Sequence, residues 1–288
     1  MDVRDFAELS WRDRITAAIG AGDHPPWLAK VLAAEPPAPT NRKHVVGLSG
    51  GKDSTAMRLA LAYFEPATYH DVITPTGNEL PEMIGHWRKL MELLGTTLVP
   101  VGYESLKGLI KRQRALPNHR ARWCTRIIKL DAYYNWLATQ TPCISHIGLR
   151  ADEESRPGMI FPDAAGVEMD FPMRRWGWTL EDVLAFLDFL GVEIPERTDC
   201  AWCFWQKLGE WYLLWLNHRD IYLEGEEMEL WVSKERGSPF TFRSPDRDSW
   251  PASLRDLRLE FERGRIPTRS LQMMDKRRLV GACRACTL

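Results

Sequence analysis

From His44 onward, short β-branched runs alternate with longer amphipathic stretches. The runs predict strands at His44–Leu48, Tyr69–Ile73, Thr97–Val101 and Ile144–Leu149. Between them, helical spacing predicts helices at Ser54–Tyr63, Pro81–Leu94, Ser105–Arg114 and Thr125–Leu137. That rhythm implies right-handed crossovers and an α/β, doubly wound, mostly parallel sheet that takes its ligand at the carboxyl ends of the strands. Upstream, Phe6, Leu9, Ile15 and Ile19 recur at helical spacing, and Pro36-Pro37-Ala38-Pro39 then breaks the chain. After Arg150 come a hairpin-like stretch over Met159–Asp170, a helix at Leu180–Leu190, a cysteine-rich turn and a Trp-rich helix at Gln206–Leu216. The charged, proline-interrupted remainder predicts one amphipathic helix near Ser253–Arg263. The organisation expected is a helical extension over 1–40, a nucleotide-type domain over 41–190 and a smaller, mainly helical lobe over 191–288.

Composition narrows the function classes. Hydrophobic residues are 44% of 288, enough for a large core. The 38 Lys+Arg nearly cancel the 39 Asp+Glu, so contact with nucleic acid or an anionic surface must be local. No apolar run reads as a membrane span, and the acidic start Met1-Asp2-Val3-Arg4-Asp5 does not read as a signal peptide; a cytoplasmic protein is expected. Six cysteines in that setting point to metal or thiol chemistry rather than a disulfide framework.

The most informative segment is Ser49-Gly50-Gly51-Lys52-Asp53-Ser54-Thr55, directly between a predicted strand and a predicted helix. Two glycines let the backbone approach an anion, the helix turns its free N–H groups and positive dipole end towards it, and Lys52 adds a full charge. A Walker loop is excluded, because Lys52 is followed by Asp53 and Gly47 is one residue too close. A capped strand-to-helix turn is the plain alternative.

The segment resembles the pyrophosphate loop (PP-loop) of the adenine nucleotide α-hydrolase-like superfamily, Ser-Gly-Gly-x-Asp-Ser. Thr76-Gly77-Asn78-Glu79-Leu80-Pro81-Glu82 resembles a second element, found in the phosphoadenosine phosphosulfate (PAPS) reductase family, with Pro75 standing where Asp is usual. Arg122-Trp123-Cys124-Thr125-Arg126 and Gly148-Leu149-Arg150-Ala151-Asp152-Glu153-Glu154-Ser155-Arg156 are similar to two more, in the family's order. The resemblance implies ATP with Mg²⁺, held by Ser49, Gly50, Gly51, Lys52, Asp53, Ser54 and Thr55 on the phosphates and by Thr76, Gly77, Glu79, Arg126, Arg150 and Arg156 around the nucleotide. Arg150 and Arg156 are suited to bidentate grip of a phosphate or sulfate, or else belong to a solvated loop.

Cys200-Ala201-Trp202-Cys203 and Cys283-Arg284-Ala285-Cys286 are two Cys-x-x-Cys pairs, a turn that aims two thiolates at one metal. Their separation far exceeds the roughly 15–20 residues of a zinc ribbon, though folding can close such a gap. By resemblance, Cys124, Cys200 and Cys203 stand where ligands of a [4Fe–4S] cluster stand in adenylylsulfate reductases, with Cys283 or Cys286 as a fourth ligand or a carrier thiol; zinc is the alternative. Cys143 reads as a buried small hydrophobe.

The C-terminal Glu-Cys-Gly-x-His nucleophile segment of PAPS reductases is absent, while the phosphate loop is intact. The expectation is therefore an enzyme of the DNA-phosphorothioation and iron–sulfur thiolation branch, which splits ATP to AMP and pyrophosphate and transfers sulfur to a DNA, tRNA or nucleotide acceptor. Lys52, Asp53, Cys283 and Cys286 are its expected catalytic residues, a cysteine desulfurase its sulfur donor, and a homodimer its assembly. A sulfonucleotide reductase releasing sulfite and a non-catalytic nucleotide- or nucleic-acid-binding module are the alternatives. Lys107, Lys111, Arg112, Arg114, His119, Arg120, Arg122 and Arg126 form a basic stretch that either tracks a nucleic-acid backbone or is a solvated face.

Overall fold

The computed structural model describes residues 9–102, 104–156 and 166–278, with side chains as far as Met274. Lys43–Gly47 (β1), Tyr69–Ile73 (β2), Leu98–Pro100 (β3), Cys143–His146 (β4) and Val167–Asp170 (β5) form one sheet of order β3-β2-β1-β4-β5. Every neighbouring pair is parallel, with His44 opposite both Tyr69 and Ile144. The order reverses between β1 and β4, which places the switch point of the sheet beside the phosphate loop.

Around the sheet lie Trp11–Ala21 (α1), Pro26–Ala33 (α2), Lys52–Phe64 (α3), Pro81–Leu94 (α4), Leu106–Gln113 (α5), a π-helix at Thr125–Asp131 continuing into Ala132–Ala138 (α6), Pro172–Arg175 (α7) and Leu180–Leu190 (α8). Val46, Met57, Leu59, Trp178 and Phe186 fill one face, and Trp27 and Leu28 of α2 join them. Val45, Val72, Tyr133, Leu137 and Cys143 fill the other. Each face buries its own core, so the sheet is doubly wound; each fully buried large apolar side chain contributes roughly 1.5–3 kcal/mol.

The rest of the chain is helical: Leu208–Asn217 (α9), Arg219–Arg236 (α10), Leu254–Glu262 (α11) and Thr268–Arg278 (α12). Their core, with Trp202, Trp211, Tyr222, Phe242 and Leu257, also takes in Leu109, Ile110 and Ile128. The C-terminal segment is thus packed onto α5 and the π-helix.

Three elements depart from the sequence expectation. Val167–Asp170 is a fifth strand, parallel to β4, where a hairpin-like stretch was expected over Met159–Asp170, of which 159–165 lie outside the described residues; alternation alone does not name a strand's partner. The 18-residue helix α10 was not anticipated. Its inward face carries Glu226 and Glu229 beside Tyr222, Met228 and Val232, so the apolar period is broken by carboxylates. Those carboxylates are satisfied: Glu229 accepts the N–H groups of Phe242 at 2.8 Å and Leu254 at 2.6 Å, and Glu226 accepts Arg258 at 2.9 and 3.2 Å. The third departure is the π-pitch of Thr125–Asp131 where an α-helix was expected. Among the described residues no helix is long and apolar enough to cross a membrane.

Candidate functional site

The phosphate loop is held by its own atoms. Ser54 Oγ accepts from Gly50 N at 3.2 Å and sits 3.0 Å from Ser49 Oγ, while Gly51 N donates to Ser49 Oγ at 3.3 Å. Gly50 has φ +80, and a Cβ there would stand 2.7 Å from Trp87 Nε1, which itself donates to Ser49 O at 3.2 Å. Gly51 caps α3 without a side-chain hydrogen bond, so no capping side chain satisfies the first-turn amides. Thr55 Oγ1 is buried there with no partner, and so is Nε2 of His86. Burial lowers the His86 imidazole below its ordinary value, against the pull of its hydrogen bond to the Gly50 backbone.

Loops after β4 and β2 complete this edge. A Cβ on Gly148 would lie 3.1 Å from Ser54 N, so only glycine lets the Arg150 loop approach α3 so closely. Arg150 Nη1 then reaches Asp53 Oδ1 at 2.9 Å, and Lys52 Nζ reaches Asp53 Oδ2 at 3.2 Å. Burial works against the Arg150 charge, but Asp53, Asp152 and Glu153 together outweigh it and hold the guanidinium above its ordinary value. Arg156 is tied to Glu153 at 2.7 Å instead of facing outward, with its Nε buried and unpartnered. After β2, the Glu79 carboxylate accepts Thr76 N at 2.6 Å and Thr76 Oγ1 at 2.7 Å, and Gly77 sits at φ +66.

Asn78, between Gly77 and Glu79, has a role that its sequence pattern does not signal. Its carbonyl accepts Ala201 N at 2.6 Å and its side-chain oxygen accepts Trp202 N at 2.9 Å, so the β2 loop docks the first Cys-x-x-Cys turn. Arg197 braces the same turn, donating to Asp199, Gln206 and the Cys200 carbonyl at 3.0–3.1 Å. A Cβ on Gly51 would stand 3.8 Å from Thr198 Oγ1, so the phosphate loop and the segment entering the turn are neighbours.

Cys124, Cys200 and Cys203 line one cavity with Thr76, Lys129 and Trp205. The Cys203 thiol hydrogen-bonds to Cys200 and lowers its pKa against burial; that bond, with burial, raises Cys203 well above its ordinary value. Cys124 is raised by burial and by Cys200. Soft thiol donors suit an iron–sulfur cluster or zinc. Two are in contact and the third lines the same cavity, yet among the described residues no group of three or more His, Cys, Asp or Glu is arranged to hold a metal ion. Cys283 and Cys286, as well as their neighbours over 279–288, lie outside the described residues.

Other expected residues are not gathered here. Arg126 is three-quarters exposed and faces Asp131 at 3.7 Å. Much of the basic stretch is neutralised: Lys107 pairs with Glu224, Arg112 with Glu104 and Arg114 with Glu235. Cys143 is fully buried in the core, as expected.

No family model matches the chain, and no curated protein does. Similar solved structures include a PAPS reductase from Candida auris in a phosphate complex, at 15% identity and a TM-score of 0.42, covering 67% of this chain and 85% of that one. Another is the U34-tRNA thiolase NcsA from Methanococcus maripaludis with its [4Fe-4S] cluster, at 16% identity and a TM-score of 0.42, covering 82% and 79%.

Proposed function

We propose that the chain is a PAPS reductase-like PP-loop enzyme that cleaves ATP to AMP and pyrophosphate and delivers sulfur to a nucleotide or nucleic-acid acceptor. The observation that carries the reading is the adjacency of two chemistries. An anion-binding loop with uncapped amides lies beside a three-thiol cavity, and the Asn78 loop ties the edge of the sheet to the cysteine turn.

In this reading the uncapped amides of α3 and the Thr55 hydroxyl take phosphate oxygens. Lys52 and Arg150, now both spent on Asp53, turn to the charge developing on the departing pyrophosphate. Asp53, a hard oxygen donor thereby released, is the group available to Mg²⁺. Cleavage between the α and β phosphates leaves the adenylyl group on an acceptor oxygen, which makes that oxygen a better leaving group for an incoming sulfur nucleophile. Cys124, Cys200 and Cys203 would hold a [4Fe–4S] cluster, which when bound would supply a site for sulfide.

The test incubates anaerobically purified protein with ATP, Mg²⁺, sulfide and tRNA or DNA as acceptor and separates the products. AMP and pyrophosphate are expected, with Asp53→Ala slowing their formation by about 100-fold or more. Formation of ADP and phosphate, or release of sulfite from PAPS and a thiol without ATP, would overturn the reading. Metal analysis of the same sample should give about four irons and four acid-labile sulfides per chain, lost in Cys200→Ser. One zinc and no iron would make the cysteines structural.

A further inference from the structure

The cavity that Cys124, Cys200 and Cys203 line also has an aromatic lining that the sulfur chemistry does not require. Phe204 and Trp205 line it as a tilted pair with ring centroids 5.2 Å apart. Phe204 is buried, Trp205 is half-buried, and neither packs into any of the three cores, although most buried tryptophans of the chain do. The Arg122 guanidinium lies over the Trp205 ring at 5.9 Å, on the same cavity. An aromatic ring left out of the core and roofed by a cation is a stacking platform rather than core filling.

The rim next to it carries charge. Pro117 and Arg122 line the cavity, and between them Asn118 Oδ1 accepts the N–H groups of Arg120 and Ala121 at 2.9 and 3.0 Å, folding a tight loop. His119 and Arg120 are exposed on that loop and have no ion-pair partner among the described residues, unlike the paired Arg112 and Arg114. A base seated on the ring, in a free nucleotide or in a strand, carries a phosphate that the Arg120 cation can take, and competition by AMP separates the two. The cation faces outward on an exposed loop rather than into the cavity, where the backbone on either side of a seated base would run.

We infer that Trp205, with Phe204 and Arg122, stacks an unpaired base of a single-stranded nucleic acid over the three thiols, and that Arg120 takes an adjoining phosphate. This deepens the proposed function by naming the acceptor as an unstacked base, and it rests on that reading for the chemistry that follows binding. It also narrows the basic stretch to the turn of His119 and Arg120 beside the cavity.

The test measures anisotropy of a fluorescein-labelled single-stranded oligonucleotide, as RNA and as DNA, with the matching duplex and free AMP as competitors, on the full chain. Trp205→Ala is expected to weaken single-strand binding by about tenfold, while Trp205→Phe, which keeps a π-face, stays within about threefold of wild type. Arg120→Ala should lower the slope of log affinity against log salt by about one. Equal binding by Trp205→Ala and wild type overturns the inference, as does a duplex or free AMP competing as well as the single strand. Asp53→Ala is expected to bind the strand like wild type. Loss of strand binding in Trp205→Ala alongside a wild type that forms no pyrophosphate would leave the base site standing and remove the ATP reading; the converse would remove the base site alone.

Discussion

The phosphate loop and the cysteine cavity share an edge of the sheet but are built in opposite ways. The loop is closed by Ser49, Gly50, Gly51 and Ser54 bonding to one another within six residues. The cavity gathers Thr76, Leu106, Cys124 and Cys200 from four separated segments, and its cysteine turn hangs on Asn78 and Arg197. A local site depends on backbone conformation, whereas an assembled one depends on every contact that brings its segments together. The two should therefore fail differently.

Gly148→Val gives the largest expected effect. Its side chain would press on Ser54 N and Asp53, backbone that has no room to yield, so ATP binding measured by calorimetry should fall at least about tenfold with about 1–3 kcal/mol of stability. The reactivity of Cys200 towards a thiol reagent should change little. Asn78→Ala reverses the pattern. It leaves Trp202 N–H buried without an acceptor, at a cost of about 1–3 kcal/mol in denaturant unfolding. Thiol accessibility should rise while nucleotide binding holds.

Glu229 tests the lobe behind the cavity through pH. Burial pushes its carboxyl up to about 8 from 4.5, so the stability it contributes is full below pH 4.5 and is lost as pH rises towards 8. Glu229→Gln gives up one of two N–H bonds but does not titrate. Its deficit relative to wild type should shrink across that window by at most about 1.4 kcal/mol per pH unit, read from urea midpoints. Arg126→Ala should do least: under about 0.5 kcal/mol, with ATP affinity unchanged, because the side chain is solvated. A marked loss of ATP affinity would return Arg126 to the nucleotide site.

The difference between the regions also explains what was legible. Four strands and the loop between β1 and α3 stood in the pattern because their signals are short-range: β-branched runs, two glycines, a helix start. Asn78 carried no such signal, since an asparagine between Gly77 and Glu79 also suits a plain turn. Trp205 was indistinguishable by composition from Trp202 and Trp211, although the latter two are core and it is not. Helix α10 was hidden because Glu226 and Glu229 on its inner face look like solvated positions until Phe242, Leu254 and Arg258 arrive to pair with them.

The sequence by itself determined the alternating α/β architecture, the glycine-rich loop between β1 and α3 and the presence of paired cysteines, because each follows from residues a few positions apart. Tertiary structure decided that β5 extends the sheet in parallel, that Asp53 faces both Lys52 and Arg150, and that Cys124 shares a cavity with Cys200 and Cys203. Those outcomes depend on which distant surfaces bury each other, and burial is a property of the packed chain.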